Sequence, residues 1–213
     1  VDIIEANIPQ ARGLGSSASL IVAGLVLANE ENNSRYTDEQ LFALATDLEG
    51  HPDNVAPAIF GGFNVVSHDA LLQQVNFDVD DLLYFYAFNP DYSLSTEDCR
   101  AVLPQEVLHQ DAVKNLTHTA LLVAKLAKGQ WTDLKDLFED FLHEPYRKEL
   151  IRDYDQIKAL NYRDDVIGVY LSGAGPTMIA LSYNEDLQKE ITFPFEGSIL
   201  KLKATNEKYS IVE

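Results

Sequence analysis

Residues 9–19 read Pro9-Gln10-Ala11-Arg12-Gly13-Leu14-Gly15-Ser16-Ser17-Ala18-Ser19 and hold the densest chemistry in the chain. Gly13 and Gly15 let the backbone take positive φ and approach a ligand closely. The apolar run from Ala18 to Asn29 predicts a helix, whose first N–H groups and positive dipole end attract anions. Ser16 and Ser17 add hydroxyls, one of which could ligate Mg²⁺, and Arg12 adds a cation at the loop edge. Phosphate binding fits this segment. So does a plain strand-to-helix turn, which would use similar residues. The Lys of a Walker A loop is absent, so this is not a P-loop.

Other groups stand further along. Glu49 closes a helical pattern, where a solvated carboxylate is mildly unfavourable against the dipole. His51-Pro52-Asp53-Asn54 is a polar sequence of the ordinary turn type. Arg100 and Arg147 are two of very few arginines. A guanidinium fork suits a carboxylate ligand, and equally a surface ion pair in so acidic a chain. Ser172-Gly173-Ala174-Gly175-Pro176-Thr177 is a second small-residue loop, read first as a hairpin.

These groups need elements to hold them. Residues 1–8 predict a strand, and the helix from Ala18 is apolar all round, so it should be buried. Thr37 and Gln40 form a capping box ahead of a helix that ends near Gly50. Strands are expected at Phe63–Ser67, Leu82–Phe88, Val166–Leu171, Met178–Ser182, Ile199–Ala204 and Ser210–Val212, with Asn89-Pro90 breaking the second. Thr96 would cap a short helix. A helix over Asp111–Lys128 would turn Val113, Leu116, Leu121 and Ala124 inward. Another helix is expected over Asp133–His143, stopped by Pro145. The irregular alternation favours α+β. The polar stretch 68–80 is the expected junction, giving a first part over 1–75 and a second part over 76–213.

The 213 residues carry 34 acidic and 16 basic side chains, a formal charge of −18. A bare nucleic-acid binder needs a basic face, and an anionic membrane would repel this chain. Yet 46% of residues are hydrophobic and 10% aromatic, enough for a real core. The single cysteine, Cys99, excludes a disulfide framework and suits a reducing cytoplasm. Val1 is not an initiator Met, so the chain is expected to be a fragment.

The Pro9–Ala18 pattern resembles the ATP-phosphate motif of the GHMP kinase superfamily. Glu49-Gly50-His51-Pro52-Asp53-Asn54-Val55-Ala56-Pro57 with Gly61-Gly62, Ser93–Thr96 with Arg100–Pro104, His143-Glu144-Pro145-Tyr146-Arg147 and Ser172–Thr177 are similar to the homoserine kinase branch. The resemblance implies a two-domain fold. One half is like ribosomal protein S5 domain 2 and truncated at its N-terminus, the other is ferredoxin-like, and the active site lies between them. It implies transfer of the γ-phosphoryl group of ATP, with Mg²⁺, to L-homoserine in threonine biosynthesis, and a homodimer. Pro9, Arg12, Gly13, Leu14, Gly15, Ser16, Ser17, Ala18 and Ser19 would hold ATP, and Ser16, Ser17 and Glu49 the metal. His51, Asp53, Asn54, Thr96, Arg100, Arg147, Gly173, Ala174 and Gly175 would hold substrate. Asp53, Asn54 and Arg12 are the candidate catalytic residues. The implied N-terminal stretch is missing from this chain, which alone is expected to be inactive or severely impaired. The rival readings are a mevalonate-type kinase and a ligand sensor without turnover.

Overall fold

A computed structural model describes residues 3, 5–69 and 71–211, with only the backbone of His68 and Thr96. The chain divides into two compact units. The first comprises Val1–Gln10, Leu14–Val79 and Ala204–Glu213, and the second Ala11–Gly13 and Asp80–Lys203. Among the described residues no helix is long and apolar enough to cross a membrane.

The first unit packs three helices, α1 (Ser16–Glu31), α2 (Asp38–Glu49) and α3 (Val55–Phe60), with an antiparallel hairpin of β1 (Phe63–His68) and β2 (Leu72–Phe77). The capping box forms as expected: Thr37 Oγ1 accepts from the Gln40 amide and Gln40 Oε1 from the Thr37 amide. Such a cap contributes about 1 kcal/mol. Val22, Leu41, Phe42, Val55 and Ile59 form the buried centre. The helix α1 is not buried all round. Ala18, Val22 and Val26 face inward while Leu20 and Leu27 are 41% and 38% exposed, because α2 and α3 cover one flank only.

Two strands expected at the edges of this unit do not form. Ile3 and Glu5–Ile8 form no strand, and Val1, Asp2 and Ile4 lie outside the described residues. Ser210 and Ile211 form none either, and Val212 lies outside. Alternating apolar residues do not make a strand without a ladder partner. The polar stretch 68–80 contains β2, where Asn64 Oδ1 accepts from Gln74 Nε2 at 2.8 Å across the hairpin, and the first unit gives way to the second between Val79 and Asp80.

The second unit is built on an antiparallel sheet of order β4-β5-β3-β6, from β3 (Tyr84–Pro90), β4 (Val166–Leu171), β5 (Met178–Ser182) and β6 (Gly197–Leu202). Its helices are α4 (Thr96–Ala101), α5 (His109–Leu126), α6 (Glu144–Arg147) and α7 (Tyr154–Lys158). Tyr86, Phe88, Val169, Met178, Ile157 and Leu187 are its buried centre. Strand β3 does not break at Asn89-Pro90. It runs to Pro90, opposite Gly197, and a terminal proline costs the ladder little. Ser95, not Thr96, caps α4, accepting from the Asp98 amide at 2.9 Å.

Two helices differ from expectation. In α5 the Val113, Leu116 and Leu121 side chains are 45%, 70% and 52% exposed, and Leu126 is the buried one. Over 133–143 only a 3₁₀ turn forms, at Lys135–Phe138. The Asp140 carboxylate captures the amides of Leu142, His143 and Glu144 at 2.7, 3.0 and 3.2 Å, which takes them out of any helical ladder. Pro145 therefore stops nothing and sits in the first turn of α6.

Arg163 forks onto Asp165 with two bonds of 2.8 Å and also reaches Glu190. The guanidinium holds the Asp165 carboxyl down at about 2, helped by an Asn184 N–H. A carboxyl depressed on folding stabilises the fold above its unfolded value, near 3.8, and that gain disappears as pH falls through about 2. Arg163→Met should lower stability at pH 7 by about 1 kcal/mol or less. Its Tm should also fall less than wild type between pH 4 and pH 2. Parallel Tm profiles would contradict this account.

Candidate active site

The loop before α1 leaves the helix with a bare amino end. The Ser19 amide makes the first helical bond, to Gly15 O at 3.0 Å, so the Ser16, Ser17 and Ala18 amides precede the ladder. No side chain caps them and the first turn has no acidic residue. Gly15 sits at φ 73. A Cβ there would fall 3.0 Å from Asn54 Oδ1, so the glycine lets Asn54 close on the helix end. Ser17 Oγ donates to Glu49 Oε2 at 2.7 Å, bringing the end of α2 to the start of α1.

The turn after α2 aligns the next groups. Asp53 Oδ1 accepts from the Asn54 amide at 3.1 Å and lies 2.7 Å from His51 Nδ1. A carboxylate oxygen only accepts, so the His51 proton is on Nδ1. Asp53 Oδ2 has no partner among the described residues. Beside this cluster, an apolar cleft of about 560 Å³ runs along α1 past Val22 and Val26, with Gly15, Ser19 and Asn54 at its polar edge. Pro9 does not line it.

In the second unit, Gly13 (φ 75) meets the hairpin loop that joins β4 to β5. Ser172 Oγ donates to Gly13 O at 2.7 Å, and a Cβ on Gly13 would lie 2.3 Å from Ser172 O. Arg12 donates to Pro90 O at 3.2 Å and to Ala11 O at 3.3 Å, so part of its guanidinium is spent on backbone. Arg147 is 9% exposed and donates to Cys99 O at 3.1 Å and Gly173 O at 3.2 Å. Arg100 is exposed on α4, with no partner among the described residues. Burial pushes the neighbouring Cys99 thiol up. Of Thr96 only the backbone is described.

The structure thus gathers Gly15, Ser16, Ser17, Ala18, Glu49, His51, Asp53 and Asn54 in one unit. It gathers Arg12, Gly13, Arg147 and Gly173 in the other. Sequence reasoning gave no role to Glu144 or Ser172. Both stand inside quoted motifs, and Glu144 lies three positions before Arg147, on the same helix face.

The class follows from the comparisons. The model for the GHMP kinases N terminal domain matches residues 1–62, and that for the GHMP kinases C terminal matches residues 122–193. The chain is 42% identical over 194 residues to a homoserine kinase of Streptococcus agalactiae, covering 87% of this chain and 65% of the relative. It is 39% identical over 218 residues to a homoserine kinase of Clostridium beijerinckii, covering 99% of this chain and 73% of the relative. The crystal structure of a homoserine kinase from Cytophaga hutchinsonii superposes with a TM-score of 0.79 at 28% identity, covering 87% of this chain and 61% of that one. The chain belongs to the GHMP kinases, in the homoserine kinase family. It spans about two thirds of the length of the curated relatives it matches.

Gly13 and Gly50 make a controlled contrast. Both have positive φ, 75 and 89, but nothing lies within 4 Å of a Cβ on Gly50. Gly50→Ala should cost about 1–2 kcal/mol, the left-handed penalty alone. Gly13→Ala should cost roughly 1–3 kcal/mol more, since backbone oxygen must move. Urea unfolding of the two variants checks this; equal losses would contradict it.

Proposed function

We propose that the whole protein transfers the γ-phosphoryl group of ATP to the side-chain hydroxyl of L-homoserine, giving O-phospho-L-homoserine in threonine biosynthesis. The observation that carries this reading is the bare amino end of α1 with the Ser17–Glu49 pair beside it. Three amides at a helix start with no partner among the described residues can bind phosphate oxygens, and the absence of acidic residues in that turn keeps the end positive. The kinship with homoserine kinases supplies the acceptor.

The residues fit Mg²⁺. A hydroxyl and a carboxylate oxygen 2.7 Å apart are hard donors. Among the described residues no cluster of three His, Cys, Asp or Glu side chains forms a metal cage. That suits an ion held mainly by phosphates and water. Ser16, Ser17 and Glu49 would hold it, and when bound it neutralises phosphate charge. The amides of Ser16, Ser17 and Ala18 hold the phosphates, and Arg12 offers its remaining N–H groups. Arg100 presents a whole guanidinium to the amino-acid carboxylate, with His51, Asn54, Arg147 and the 173–175 loop as further substrate contacts. The homoserine hydroxyl oxygen forms a bond to the γ-phosphorus as the β–γ bridging bond breaks. The proton goes to the open Asp53 Oδ2. Positioning lowers most of the barrier, as in other phosphoryl transfers.

In the whole protein, homoserine should be phosphorylated with kcat/KM at least tenfold above mevalonate or galactose; no turnover of homoserine would overturn the reading. Glu49→Gln should lower kcat/KM by roughly 100-fold and weaken Mn²⁺ binding to the nucleotide complex, read by water-proton relaxation. Unchanged relaxation would remove Glu49 from the metal.

A further inference from the structure

Glu144 is 4% exposed, and the scheme above does not use it. Its Oε1 accepts from the Leu171 amide at 2.9 Å, at the end of β4. Its Oε2 accepts from Tyr154 Oη at 2.7 Å and Lys158 Nζ at 2.5 Å. Lys158 Nζ also donates to Val169 O at 2.9 Å, two residues back along β4. One turn later on α6, Arg147 donates to Gly173 O at 3.2 Å and to Cys99 O at 3.1 Å. Ser172, between the two gripped residues, is the one whose hydroxyl donates to Gly13 O. The helix α6 therefore touches both main-chain polarities of one short segment, taking an N–H at 171 and a C=O at 173.

We infer that α6 is a two-point clamp on residues 171–173, and that Glu144 is a positioning residue which sets the glycine loop and, through Ser172, the Gly13 carbonyl. For catalysis this rests on the proposed reading of residues 173–175 as part of the acceptor site. A pure core ion pair would need only Lys158 and Tyr154. The third bond, from a loop amide to the other carboxylate oxygen, is what a clamp adds. Lys158 and Tyr154 hold the carboxylate in the rotamer that reaches Leu171, and burial, with the close carboxylate adding to it, pushes the Tyr154 hydroxyl up.

The test separates the charge pair from the amide acceptor. Removing Glu144 alone would strand Lys158, so it is replaced together with its partner, a change often close to neutral for folding. Glu144→Gln with Lys158→Met keeps an oxygen for the Leu171 amide. Glu144→Leu with Lys158→Met removes it. In the whole protein, the Leu pair should raise KM for the acceptor at least tenfold at unchanged KM for ATP, and the Gln pair should stay within threefold of wild type. Exchange of the Leu171 amide, measured without substrate, should quicken at least tenfold in the Leu pair only. Equal KM and equal exchange in the two pairs would overturn the clamp. Should wild type itself fail to phosphorylate homoserine, the functional reading falls, and the exchange comparison still decides the clamp.

Discussion

The proposed chemistry depends on an amino end that no side chain among the described residues caps. A sixteen-residue helix, α1, starts without a side-chain cap and without an acidic first turn. Thr37 closes α2 and Ser95 closes α4, whereas α1, the second longest helix, has neither a side-chain cap among the described residues nor a first-turn carboxylate. Leaving α1 open costs about 1 kcal/mol of helix stability and keeps three amides available for an anion. In a chain of formal charge −18 an anionic ligand is repelled at long range. The proposed phosphate binding therefore rests on short-range donors such as the amides at the α1 end.

The glycines follow from that end. Gly15 is needed because Asn54 closes on it, and Gly13 because the backbone of Ser172 lies where its side chain would be. The Ser172 hydroxyl then bonds the Gly13 carbonyl, a contact within the second unit. Small residues in both loops are a matter of closeness to backbone, and a larger side chain at either contact would push the loop away.

Much of this was legible in the sequence. The glycine loop, the capping box, the β4–β5 hairpin and the α+β class all rest on local chemistry that short spacing reveals. What failed required knowledge of partners. The apolar row Val113, Leu116 and Leu121 reads as an inner face, but periodicity cannot say which element will cover it. Residues 133–143 have helical spacing, yet one carboxylate, Asp140, collects three amides and turns the chain instead. Glu144 looked like one acid among 34, and only the fold shows it buried against Lys158 and a loop amide.

The most direct measurement is the amide NMR spectrum of the whole protein titrated with magnesium tripolyphosphate, which carries the phosphates without a nucleoside. The account predicts that the largest shifts fall on Gly13, Gly15, Ser16, Ser17 and Ala18. Saturable binding that leaves those five amides in place and moves others would contradict it.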